Sequence, residues 1–127
     1  MITTPEQLVV RNSREGPVER LTPVGELDIA TVPILERAFE IAFEAGDARV
    51  VVIDLTELSF IDSSGLNLLL RMQEASQATD RLRVVNGSAA VTRLLDVAGI
   101  RPLLPIITSD QDPLGPPPAA PRPRTAT

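Results

Sequence analysis

The stretch VVVIDLTELSFIDSSGLNLLL, residues 50–70, sets the architecture of the chain. Residues 50–55 form an almost continuous β-branched and apolar run, which is typical of a strand buried on both faces of a sheet. Short polar residues follow this run, and an apolar segment with helical spacing comes after them, as at the start of a helix. The stretch therefore predicts a buried strand that leads through a polar loop into a helix.

The segment before this stretch carries strand signals and then helix signals. Residues 8–10 and 18–27 are extended runs with turn residues between them, which predicts an N-terminal β-hairpin. Thr31 can cap a first helix, and Gly46 ends it. The predicted buried stripe of this helix is Leu35, Ala38, Phe39 and Ala42.

The segment after the stretch predicts a further strand and a third helix. Residues 82–85 form the strand, and Ser88 can cap a helix that Gly99 ends. Residues 106–107 can add a last edge strand. The residues Arg81 and Arg83 are interpreted as part of a strand edge rather than an anion site. The predicted stripes are Leu66, Leu69, Leu70 and Gln73 on the second helix, and Val91, Leu94, Leu95 and Ala98 on the third.

The order of these elements predicts an α/β fold with a mixed sheet of four to five strands, an N-terminal β-hairpin and three main helices. Strands joined by single helices imply parallel pairing with right-handed crossovers, whereas the hairpin adds an antiparallel pair. We expect one domain over residues 1–109. Residues 110–127 are rich in proline, which blocks helices and sheet ladders, and they predict a disordered tail.

The composition excludes several chemistries. The chain has no histidine, cysteine or lysine, so catalytic triads, thiolate chemistry and lysine Schiff bases are excluded, and no enzyme, metal site or cofactor is predicted. The net charge of −5 is a poor match for a phosphate backbone, so no direct contact with nucleic acid is expected. No export signal and no apolar run of membrane-spanning length is visible, which predicts a cytoplasmic protein without membrane insertion.

The polar loop between the buried strand and the second helix is the candidate site. It contains Asp62, Ser63, Ser64 and Gly65, and it lies where ligands gather in α/β folds, at the carboxyl end of a strand. A helix start offers free N–H groups and a partial positive charge, which would favour a phosphate on a serine there. The alternative is ordinary helix capping, for which one such polar residue suffices.

The sequence IDSSGL at residues 61–66 resembles the signature of STAS domains in bacterial anti-sigma factor antagonists. Residues 51–55 precede it at the spacing of that family, and residues 25–28, GELD, resemble its acidic motif. The resemblance covers roughly residues 6–108.

This resemblance implies a role for each residue of the loop. Ser64 matches the phosphoacceptor, and Ser63 matches a neighbouring serine that supports the loop by hydrogen bonding. Asp62 matches an acidic neighbour, and Gly65 matches the glycine that opens the helix. Asp28 matches an acidic residue that lies close to the serine in the family fold.

The resemblance also implies the partners. In that family, the unphosphorylated antagonist binds an anti-sigma factor serine kinase and thereby frees a sigma factor. Phosphorylation releases the kinase, and a phosphatase restores the serine. Asn67 stands where many relatives carry a smaller residue, so it is expected to affect the choice of partner. Two alternatives remain open: a STAS accessory subunit of a membrane transport or stress-signalling complex, and a weak nucleotide- or anion-binding domain that uses the helix start after Ser64.

Overall fold

The computed structural model describes residues 8–115, in which six strands and three helices follow one another. The last strand is preceded by a short 3-10 turn at Arg101–Leu103. The elements are β1 (Leu8–Glu15), β2 (Val18–Leu27), α1 (Val32–Ala45), β3 (Val50–Asp54), β4 (Leu58–Ile61), α2 (Ser63–Ser76), β5 (Leu82–Val85), α3 (Ala89–Val97) and β6 (Ile106–Ile107).

The strands form one mixed sheet in the order β1-β2-β3-β5-β6, with β4 paired to β2. The β1–β2 hairpin is antiparallel, and the remaining pairs are parallel. The predicted α/β class, hairpin and three helices are confirmed. β5 is an interior strand and not a sheet edge.

The sheet has six strands rather than the four to five predicted, because the prediction contains no strand at the position of β4. β2 is long enough to pair with β3 along its first half and with β4 along its second half, where Gly25 lies opposite Leu58. In β4 only Leu58 and Ile61 are buried, and the two residues between them are exposed. A strand of four residues with this pattern carries no alternation that sequence reasoning can detect.

All three helices contribute to a hydrophobic core on one face of the sheet. The stripe predicted for α1 lies against the core, with Leu35, Phe39 and Ala42 buried and Ala38 partly buried. On α3, Val91 and Leu95 are buried as predicted, but Leu94 is 39% exposed and Ala98 is exposed as well.

The buried stripe predicted for α2 is wrong by a partial turn of the helix. Gly65 faces the sheet, and residues three, four and seven positions later share its face of the helix. Leu66, Leu70 and Gln73 are therefore only partly buried. The buried residues of α2 are Gly65, Leu68, Leu69, Met72 and Ser76.

A second, smaller hydrophobic cluster lies on the other face of the sheet. It contains no helix residue and consists of Val50, Val52, Val85 and Ile107. Leu114, from the segment after β6, packs against it. This segment therefore covers part of the sheet face that the helices leave open. Residues 110–115, which the prediction assigns to the tail, belong to the described structure, whereas residues 116–127 lie outside the described residues.

Within residues 8–115, no helix combines the length and the apolar character that crossing a membrane requires. The same residues contain no group of three or more acidic side chains that could hold a metal ion.

Candidate functional site

The candidate site lies at the sheet edge where β2 and β4 both end. Leu27 and Ile61 are paired in register, and the N–H of Asp62 donates to the carbonyl of Leu27 over 3.1 Å. Asp28 and Asp62 each follow one of these paired residues, so the two carboxylates lie at the same edge. The structure thus places the β2–α1 loop, with Asp28, and the polar loop before α2 at one edge of the sheet.

Asp62 caps α2. Its backbone is extended, and its Oδ1 accepts hydrogen bonds from the N–H of Ser64 over 2.9 Å and of Gly65 over 3.2 Å. The cap is therefore supplied by Asp62, and the two serines occupy the first two positions of the helix. The side chain of Ser63, expected to support the loop by hydrogen bonding, makes no hydrogen bond to residues 8–115.

The two serines at the start of α2 differ in exposure. Ser63 is exposed and Ser64 is half-buried. The Ser64 hydroxyl makes no hydrogen bond within the described part of the chain, where only the backbone N–H of this residue is bound. Because no buried side-chain oxygen among the described residues lacks a partner, the hydroxyl of the serine expected to be phosphorylated keeps exposure to solvent, on a backbone that Asp62 holds in place.

Asp28 organises the loop that precedes α1. Its Oδ1 accepts from the N–H of Ala30 over 3.0 Å and of Thr31 over 3.1 Å. The Thr31 hydroxyl donates to the carbonyl of Glu26 over 2.8 Å and accepts from the N–H of Asp28 over 2.9 Å. Thr31 is at the N-cap position, as predicted, but its side chain holds the loop and makes no capping bond to α1.

Gly65 is the point of closest approach between α2 and the sheet. A Cβ atom added to it would lie 2.6 Å from Cγ1 of Ile61 and 2.9 Å from Cγ of Leu27. Contacts this short are incompatible with a side chain unless the neighbours shift. The close approach that the glycine allows is therefore one within this chain, and it needs no partner to account for it.

Three further exposed residues lie within a few positions of the site residues in sequence. Asn67 is exposed on α2, one helical turn from Ser63. Ile29, directly after Asp28, is 77% exposed, and Phe60 on β4 is 45% exposed. The sequence analysis missed both apolar residues. The signal in the sequence that could have identified them is a large apolar side chain close to the polar residues of a loop, as Ile29 is to Asp28 and Phe60 is to Asp62.

The electrostatic character of this edge is negative. Neither Asp28 nor Asp62 forms an ion pair with any of residues 8–115. Their charges are offset by backbone N–H groups at the starts of two helices, which lower the cost of the charge without cancelling its field. A further negative group here would meet two carboxylates.

These features define a class of small α/β domain with one helical layer. Two paired strands are followed by carboxylates at one sheet edge, and the helix after the second strand begins with two serines. The chain belongs to the STAS domain family, because the family model described as STAS domain matches residues 15–112.

Relatives and solved structures agree with this assignment. An anti-sigma F factor antagonist of Paenibacillus polymyxa is 30% identical over 105 residues, which span 82% of this chain and 88% of the relative. The crystal structure of an anti-sigma factor antagonist from Mycobacterium paratuberculosis is similar, with 26% identity and a TM-score of 0.74 over 89% of this chain and 96% of that one. The anti-sigma factor antagonist SpoIIAA in its unphosphorylated form is 25% identical, with a TM-score of 0.63 over 80% and 90% of the two chains.

Proposed function

We propose that this protein is an anti-sigma factor antagonist controlled by phosphorylation of Ser64. The observation that carries the proposal is the accessible Ser64 hydroxyl, held at the start of α2 at the sheet edge that bears Asp28 and Asp62. The relatives named as anti-sigma factor antagonists supply the functional context.

In this proposal, the unphosphorylated form binds a kinase-type anti-sigma factor and frees the sigma factor that the kinase sequesters. The contact surface is the loop at residues 62–67 together with Asp28. The protein itself has no catalytic step and needs no cofactor, and it works in the cytoplasm. The bound kinase transfers the γ-phosphate of ATP to Oγ of Ser64, which loses its proton, and ADP is released. A phosphatase later hydrolyses the phosphoserine.

The physical basis of the switch is a change of charge at a fixed position. A phosphoserine carries about −1.5 to −2 charges at neutral pH. The N–H groups of Ser64 and Gly65, which could have bound the phosphate, already donate to Asp62. The new charge therefore stays on the surface beside two carboxylates, where it faces the partner. Desolvating such a charge without a matching cation costs about 2–5 kcal/mol of binding free energy. This cost lowers the affinity for the partner by tens to thousands of fold.

The test compares tagged wild type with Ser64→Ala and Ser64→Asp in a pull-down from the source organism, followed by mass spectrometry. We expect wild type and Ser64→Ala to retain an ATP-binding, kinase-type anti-sigma factor and Ser64→Asp to lose it. Calorimetric titration of the purified partner should then show at least a tenfold weaker affinity for Ser64→Asp. Incubation with the partner and ATP should add one phosphate to wild type and none to Ser64→Ala.

A matched control is Ser109→Asp, which introduces the same charge at an exposed serine in the turn after β6. This variant should bind like wild type. If Ser64→Ala and Ser64→Asp bind the same partner with equal affinity, Ser64 has only a structural role at the start of α2 and the proposed switch is refuted. Capture of transport subunits in place of a kinase would refute the sigma-factor assignment and favour an accessory role in a transport complex.

A further inference from the structure

A cleft of about 460 Å³ lies at the sheet edge opposite to Ser64, where β3 and β5 begin. Its charged lining residues are Arg49, Asp80, Arg81 and Arg83. Three guanidinium groups and one carboxylate leave a surplus of positive charge, although the chain as a whole carries a net charge of −5. Such a local reversal of sign attracts anions to this cleft.

Arg83 is buried, although arginine is almost never fully buried unless it has partners. Arg83 is 4% exposed, and its Nη1 donates to the carbonyls of Leu82 over 2.8 Å and of Asp80 over 3.0 Å. Its Nε and Nη2 have no hydrogen-bond partner among residues 8–115. In the same residues, every fully buried side-chain nitrogen and oxygen has a partner, so these two groups keep a slight exposure to solvent, and Arg83 is one of the residues that line the cleft.

Arg81, which lines the same cleft, is held by three contacts. Its two terminal nitrogens donate to the carbonyls of Phe43 over 3.2 Å and of Ala48 over 2.9 Å, and its guanidinium lies 4.3 Å from the centre of the Phe43 ring. These contacts fix the position of the charge without neutralising it, because none of the partners is a carboxylate. Arg49, at the exposed rim, has neither an ion pair nor a side-chain hydrogen bond within the described range. Asp80 lies 3.7 Å from Arg83 and is the one carboxylate in the lining.

We propose that this cleft binds the phosphate group of a small molecule. The surplus of two positive charges matches a phosphate dianion better than a single carboxylate, and guanidinium groups bind phosphate oxygens through paired N–H donors. Arg83 supplies donors at the floor, and Arg49 approaches from the rim. The volume falls within the range of about 300–1,000 Å³ that is typical of small-molecule sites, so it accommodates a phosphate ester as well as the free ion.

The test is a titration of the full chain with inorganic phosphate, ribose 5-phosphate, sulfate and acetate, followed by calorimetry and by ¹H–¹⁵N NMR. Phosphate and sulfate should bind at least tenfold more tightly than acetate. The perturbed amides should lie at residues 46–50 and 79–83, not at residues 62–67. Tighter binding of ribose 5-phosphate identifies an ester as the ligand, and equal affinity identifies the free ion. Equal binding of acetate, or shifts confined to residues 62–67, would overturn the proposal.

The variant that tests the cleft is Arg49→Gln, because this exposed residue has no contact on which the fold depends. It should weaken phosphate binding by about tenfold, the lower end expected for a charge-assisted hydrogen bond. The matched control is Arg93→Gln, which removes the same charge from the exposed face of α3 and should leave the affinity unchanged. If both variants bind like wild type, or if both lose affinity equally, the cleft is not a phosphate site.

Discussion

Replacing Gly65 by alanine tests how tightly the start of α2 is packed against the sheet. The added Cβ would lie 2.6 Å from Cγ1 of Ile61 and 2.9 Å from Cγ of Leu27. Both neighbours are at most 1% exposed and belong to paired strands, so neither can move aside without disturbing the sheet. Overpacking of this kind costs about 1–3 kcal/mol.

A favourable term opposes this cost, since alanine has the higher helix propensity. The gain is about 1 kcal/mol in a helix interior and less in the first turn, where Gly65 lies. The net expectation is a loss of roughly 1–2 kcal/mol in the free energy of unfolding, which is about 4–8 °C in Tm for a domain of this size. The sign follows from the contact distances, because propensity alone would make Gly65→Ala stabilising.

The assay is equilibrium unfolding in urea followed by far-UV circular dichroism, because the chain contains no tryptophan or tyrosine for fluorescence. Asn67→Ala is the matched control: it lies in the same helix, is exposed and gains propensity without a clash. It should be unchanged or slightly more stable. If Gly65→Ala matches Asn67→Ala in stability, the packing of α2 against β2 and β4 is looser than these distances require and the reasoning fails.

Two other predictions address the cap of α2 and the open sheet face. Asp62→Asn should keep the stability of wild type within about 0.5 kcal/mol, because asparagine caps a helix as well as aspartate does. Asp62→Ala should lose about 1 kcal/mol of stability. Equal Tm values for the two variants would contradict the capping role. Leu114→Ala should lower the free energy of unfolding in urea by about 1–2 kcal/mol, because Leu114 packs on the second hydrophobic cluster. The control is Leu103→Ala, at a residue that is 50% exposed, which should change stability by less than about 0.5 kcal/mol. Equal losses for these two leucines would mean that the segment after β6 does not cover the sheet.

The sequence predicts those elements whose signal is local. The largely β-branched run at residues 50–55 favours a strand, and β3 ends within one residue of the prediction. Ser88 accepts a capping bond from the N–H of Val91, as its position predicts. Gly46 and Gly99 both adopt positive φ angles at helix ends, which glycine does without strain.

The remainder depends on contacts between distant segments. In α2, four leucines fall within five positions, so several helical stripes fit the sequence equally well. The fit of Gly65 against β2 and β4 decides between them, and that fit arises from chain segments far apart in sequence. The same holds for the arginine cleft, because the parallel register that sets Val51 opposite Leu82 is what brings Arg49 near Arg81 and Arg83.

The arrangement around Ser64 separates the residues that hold the fold from the residue of the proposed switch. The position of the helix start is fixed by the Asp62 cap and by the packing of Gly65, and the Ser64 hydroxyl bonds to nothing else among the described residues. A phosphate on Ser64 therefore removes no contact that holds α2 on the sheet, and its main effect is a change of surface charge beside Asp28. It follows that an affinity difference between Ser64→Ala and Ser64→Asp reflects the interface with the partner rather than unfolding of the domain. An affinity change caused by a substitution of Gly65 or Asp62 cannot be assigned to the interface alone, because each substitution alters the position of the serine as well as the surface.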